Sequence, residues 1–193
     1  MLRYHRASMP DRPSMEFPVL RPKRGRDSVD YIDPYHPHRP LVLHTYRPKD
    51  HRADDRLVLV QHGIRRNGDE YRDFWIEAAQ RHRLLVVAPT FGEARFPKPE
   101  NYNNGRVLDE EGRARPREEW LYGILPRVME ALRAGGVARR PKAWLFGHSA
   151  GGQFVHRLLA TQDSTFFEAV AVGNPGWYTL PTFERPFPEG LGG

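Results

Sequence analysis

The sequence contains no cysteine, which removes disulfide staples and thiolate metal sites and gives no sign of an oxidising compartment. Lysine is scarce as well: Lys23, Lys49, Lys98 and Lys142 are the only four in a chain with 30 basic residues. No stretch comes near the ~18 continuous apolar residues that a membrane-spanning helix requires. Residues 1–17 carry arginine and proline but no apolar core, so they do not read as a secretory leader if translation starts at Met1. A cytoplasmic protein without membrane association is the default expectation.

What is present suits an ordinary globular domain: 193 residues, 39% hydrophobic and 28% charged, enough to bury a core. The net charge of +6 invites a nucleic-acid reading. Arg65-Arg66, Arg113, Arg115, Arg117 and Arg139-Arg140 are nevertheless dispersed among Asp and Glu and form no basic stripe, so no nucleic-acid partner is expected. Residues 1–36 read as a Pro- and Arg-rich N-terminal arm, in which Pro10, Pro13, Pro18, Pro22 and Pro34 break up every apolar stretch. Within it, Val29 to Ile32 suits an edge strand lying against the domain. His36 and His38 resemble half of a metal site, but no carboxylate or third histidine follows at helical spacing, and a solvated loop is expected there.

From residue 41 the pattern changes to short β-rich runs alternating with helical ones. Leu41 to Tyr46 alternates as a strand, and Leu57-Val58-Leu59-Val60 is a continuous aliphatic run, the mark of a strand buried on both faces. Tyr71 to Arg81 places Phe74, Trp75, Ala78 and Ala79 at helical spacing, and Leu84 to Ala88 is the next buried strand, closed by Pro89. Residues 90–116 form a long polar loop of the kind that often makes a lid or binding loop. A helix is expected over 117–134, kinked or split by Pro126 and stopped by Gly135-Gly136. Trp144 to Phe146 and Glu168 to Val172 complete the strands, with a helix over Gln153 to Thr161 between them. Strands joined by helical crossovers imply an α/β fold: a mostly parallel sheet with helices on both faces.

One junction carries chemistry. Between the strand ending at Phe146 and the helix from Gln153 stands Gly147-His148-Ser149-Ala150-Gly151-Gly152. A Gly-x-Ser-x-Gly run in a strand-to-helix turn lifts the hydroxyl clear of the sheet, and the small flanking residues let the backbone turn that tightly. The helix N-terminus adds free N–H groups that favour developing negative charge. No lysine follows the glycines, which excludes a P-loop. A second element follows the first buried strand: Gln61-His62-Gly63-Ile64-Arg65. A loop in that place supplies one backbone donor of an oxyanion hole, and the residue after the nucleophile supplies the other. The donors are then the amides of Ile64, with Arg65 as the alternative, and Ala150.

The pairing of His62-Gly63 with the serine elbow resembles the α/β-hydrolase superfamily, and within it bacterial esterases and polyhydroxyalkanoate-depolymerase-like hydrolases. The resemblance covers about residues 40–180. It implies a serine hydrolase of carboxylic esters, acting through an acyl-serine at Ser149 on a small-molecule ester, with no metal or organic cofactor. Phe91, Phe96, Tyr102 and Trp177-Tyr178 are candidates for an acyl pocket, core packing and lid contacts being the simpler reading.

The resemblance also exposes a gap. A serine triad needs a histidine to take the hydroxyl proton and a carboxylate to hold that imidazole, in this fold both after the serine. The only later histidine, His156, lies about two turns along the following helix and cannot reach back. His148 is expected to face away, and His62 is the best remaining substitute base. Asp163, Glu168, Glu184 and Glu189 follow the serine without clearly capping a strand. Residues 37–193 therefore read as an α/β-hydrolase core lacking its last strands. Three accounts stand: a fragment of a longer hydrolase, a non-catalytic relative that binds a ligand or partner, or a hydrolase borrowing its base. An uncovered sheet edge is expected to favour homo-oligomers.

Overall fold

The computed structural model describes residues 18–192. Six strands form one sheet: β1 (Gly25–Tyr31), β2 (Leu41–Arg47), β3 (Leu57–Gln61), β4 (Leu85–Thr90), β5 (Ala143–His148) and β6 (Phe167–Gly173), in the spatial order β1-β2-β4-β3-β5-β6. The run β4-β3-β5-β6 is parallel, whereas β1 pairs antiparallel with β2 and β2 antiparallel with β4. The expected α/β architecture is thus present, with an antiparallel pair added at one side.

The central strands show why the aliphatic runs are continuous. Leu57 and Leu59 of β3, with Leu85 and Val87 of β4, face one core; Val58, Val60, Val86 and Ala88 face a second. Alternation buries both sets because both faces are covered. Helices α3 (Ile124–Ala134) and α4 (Ala150–Thr161) pack on the first face. The second is covered by α1 (Gly68–Phe74) and α2 (Ile76–His82), two short helices where the sequence suggested one.

Other differences have local causes. Residues 25–31, within the expected arm, form the whole of edge strand β1, and residues 1–17 lie outside the described residues. Pro89 does not close its strand but sits inside β4 opposite Leu43. It is tolerated because β3 pairs with β4 only as far as Val87, so beyond that point one side of β4 has no ladder to donate into. Pro126 neither kinks nor splits a helix: α3 starts at Ile124, and a proline in the first turn removes an N–H that had no acceptor. Two 3₁₀ turns, Arg117–Glu119 and Leu121–Gly123, precede it.

His36 is not in a solvated loop. It is buried, with Nδ1 2.7 Å from Asp33 Oδ2 and Nε2 2.9 Å from the Glu119 carbonyl. Asp33 also accepts two bonds from Arg127, at 2.6 and 3.0 Å. Burial alone raises the Asp33 pKa, but the bonds from His36 and Arg127 outweigh it and hold the carboxyl below its ordinary value. This network joins the β1–β2 connection to α3. No group of three or more His, Asp or Glu among the described residues has a metal-holding arrangement.

Candidate active site

Strand β5 delivers the chain to Ser149, which adopts φ 56° and ψ −122°. That is the first corner of a type II′ turn, a conformation that costs a non-glycine residue about 1–3 kcal/mol. The surroundings enforce it. The Ser149 amide donates to the Gly173 carbonyl at the end of β6 (3.0 Å), and its carbonyl accepts the Gln153 amide of α4 (3.0 Å). A methyl at Gly147 would fall onto the Gly151 carbonyl, and one at Gly151 onto the carbonyls of Gln61 and His62. These two glycines let α4 start hard against the ends of β5 and β3. Ala150, the first helical residue, has an amide with no intrahelical acceptor.

The His62–Arg66 segment faces this turn. His62 is fully buried; Nδ1 donates to the Gly63 carbonyl (2.8 Å) and Nε2 accepts the Phe91 amide (3.0 Å). Burial lowers its pKa to about 4, so the ring is neutral and held in one tautomer. The Gly63 carbonyl also accepts the Arg66 amide at 3.2 Å. Because a trans peptide points its N–H opposite its C=O, fixing this carbonyl fixes the direction of the Ile64 amide. Among the described residues that amide makes no hydrogen bond. Gly63 lies against Ser149: a Cβ there would be 3.6 Å from Ser149 Cβ and 3.0 Å from the Tyr71 hydroxyl.

An open groove of about 290 Å³ runs past the serine, lined by Gly63, Ile64, Tyr71, Phe74, His148 and Ser149 among others. His148 does not face away as expected; it lines this groove, with Nδ1 2.8 Å from the Tyr71 hydroxyl. Tyr71 was not evident from sequence as a site residue, since a tyrosine opening an amphipathic helix reads as core. Phe91, Phe96 and Tyr102 are fully buried and none of them lines the serine groove. They form a foundation under His62, whose ring stacks on Tyr102 at 4.6 Å and whose carbonyl accepts the Tyr102 hydroxyl at 2.6 Å. Trp177 and Tyr178 are exposed.

The histidine substitutes are spent elsewhere. Both nitrogens of His62 are engaged within the loop, as given above. His156 donates from Nδ1 to the Gly152 carbonyl (3.1 Å) and accepts the Thr179 amide at Nε2 (3.0 Å), with burial lowering its pKa to about 4. It latches the segment after β6 to α4. Among the acids, Glu168 pairs with Arg56 and Arg140 at the start of β6, the end of the sheet opposite Ser149. Asp163 accepts the Thr165 amide in an exposed turn.

Neither a protein-family model nor a curated protein matches the chain. Among solved structures, it is similar to a poly(3-hydroxybutyrate) depolymerase from Bordetella parapertussis, with 52% identity and a TM-score of 0.86 over 88% of this chain. It is also similar to poly(aspartic acid) hydrolase-1 from Sphingomonas sp. KT-1, with 35% identity and a TM-score of 0.81 over 89% of this chain. The chain has the α/β-hydrolase fold. The chain spans 58% and 64% of the lengths of those two proteins. An acetyl xylan esterase from Aspergillus awamori, at 12% identity and a TM-score of 0.56 over 76% of this chain and 53% of its own, shares the fold alone.

Proposed function

We propose that Ser149 is the nucleophile of a hydrolase of carboxylic esters, with Ile64 and Ala150 as the oxyanion donors. The observation that carries this reading is the turn itself: a strained serine at the groove, with two unengaged amides from separate elements beside it. Its hydroxyl adds to the ester carbonyl, the carbonyl oxygen takes up negative charge, and the alcohol leaves to give an acyl-serine. Backbone donors aimed at that oxygen contribute about 3–4 kcal/mol each to the transition state. The similarity to a poly(3-hydroxybutyrate) depolymerase favours an oligomeric or polymeric ester as substrate. The free edge of β6, which pairs only with β5 among the described residues, is the surface for a homo-oligomer.

The hydroxyl proton needs a base, and His62 and His156 both have their two ring nitrogens committed to structural bonds. That observation favours a second reading, a non-catalytic binding protein on the same scaffold. It also implies weak turnover by residues 18–192 acting alone. A fluorophosphonate probe separates the readings. Stoichiometric labelling that disappears in Ser149→Ala supports the hydrolase; a well-folded protein that resists labelling leaves the binding reading.

A further inference from the structure

A second cavity, of about 490 Å³, gathers Arg39, Arg106 and Arg115. Its size is that of a ligand pocket. A smaller cavity of about 80 Å³ lies between the two: Ile64 lines both this cavity and the serine groove, and Lys98 lines both it and the arginine cavity. Two of the arginines have partners. Arg39 donates to the Arg95 carbonyl and the Asn101 side chain at 2.9 and 3.0 Å. Arg115 donates to the Leu108 carbonyl at 3.3 Å and approaches Glu119 at 3.9 Å.

Arg106 is different. Among the described residues its guanidinium makes no hydrogen bond and no ion pair, and its Nε is buried without a partner. Burial, and then the charges of Arg39 and Arg115, lower its pKa, against a smaller opposing effect of Glu119. A buried donor without an acceptor costs about 1–3 kcal/mol, and more when charged. Three acids also line the cavity. Asp109 is taken by Arg113, through its side chain at 2.9 Å and its amide at 2.8 Å, while Glu100 and Glu110 are exposed at the rim. The interior is thus a place where three guanidinium groups converge and one has nothing to bind. A carboxylate matches it, since a planar two-oxygen anion fits the guanidinium fork.

We propose that the Arg39–Arg106–Arg115 cavity is a carboxylate subsite, taking the free acid end of an oligomeric ester whose scissile carbonyl lies at Ser149. This rests on the hydrolase reading for the placement of the ester, but the anion site stands on its own geometry. It confers preference for chains presented by their acid terminus over internal segments of a polymer.

The test uses the full chain as Ser149→Ala, so that nothing turns over, and the linear trimer of 3-hydroxybutyrate as free acid and as its methyl ester. Calorimetric titration at low salt is expected to show the acid binding at least about tenfold more tightly than the ester, the size of one charge-assisted bond. Arg106→Gln abolishes the difference and Arg106→Lys retains part of it. If Arg106→Gln does not fold, Arg115→Gln provides the same readout. Equal affinities, binding of neither compound, or a preference surviving in the glutamine variants overturns the subsite. Fluorophosphonate labelling of the unsubstituted chain keeps the two readings apart. Labelling without acid preference sinks the subsite alone, and acid preference without labelling sinks the hydrolase alone.

Discussion

Mild acid should unfold this protein from within, and His62 provides the measure. Its ring accepts the Phe91 amide at Nε2, so protonation there both breaks that bond and places a charge in a fully buried site. The folded pKa is about 4 against 6.5 in the unfolded chain. A histidine depressed in the fold binds its proton more readily when unfolded, so stability is full above the unfolded value and falls as pH drops below 6.5 toward 4. Linkage gives a loss of about 2 kcal/mol from this residue between roughly pH 7 and pH 5. His51 and His156, both also lowered to about 4, act in the same direction. Against a total of about 5–15 kcal/mol, that is a large fraction. Urea unfolding at a series of pH values, for the parent chain and His62→Asn, reads the slope directly. The variant is expected to start less stable but to lose about 2 kcal/mol less over the same interval. Identical slopes, or a His62 ring signal that titrates near 6.5 in the folded protein, would refute the reasoning.

Three further outcomes follow from packing and charge. Gly151→Ala places a methyl on the carbonyls of Gln61 and His62, and is expected to cost about 1–3 kcal/mol in denaturant unfolding while lowering labelling at Ser149. Arg127→Met leaves the buried Asp33 carboxylate short of its two-bond partner; a loss of about 3–5 kcal/mol is expected, partly relieved by Asp33→Asn in the same chain. Ala171→Lys on the free edge of β6 is expected to shift sedimentation toward the monomer without a change in far-ultraviolet dichroism.

The strands were legible because continuous aliphatic runs such as Leu57–Val60 occur where both faces of a sheet are covered, and β3 is such a strand. Gly147 and Gly151 were legible because no other residue fits where two backbones meet. Pro89 misled because its cost depends on whether a neighbour needs its N–H, which only the pairing of β3 reveals. The aromatic residues of 90–116 stood open between an acyl pocket and core packing because Phe91, Phe96 and Tyr102 are spaced too irregularly to show a buried side; the simpler core reading holds for them. His36 went unrecognised as a core residue because one of its two partners, the Glu119 carbonyl, is far away in the chain. Arg106 looked like one more scattered arginine; its isolation exists only in three dimensions.

The hydrogen bond from the Ser149 amide to Gly173 has a mechanical side. Ser149 is tied to the last residue of β6, the strand at the sheet's margin among the described residues. Whatever stiffens or displaces that border, including a second chain adding along it, reaches Ser149 through this bond and through the β5–β6 ladder that ends at His148 and Gly173. On the proposed reading, the rate of labelling at Ser149 is expected to change as the protein is concentrated and that margin is covered.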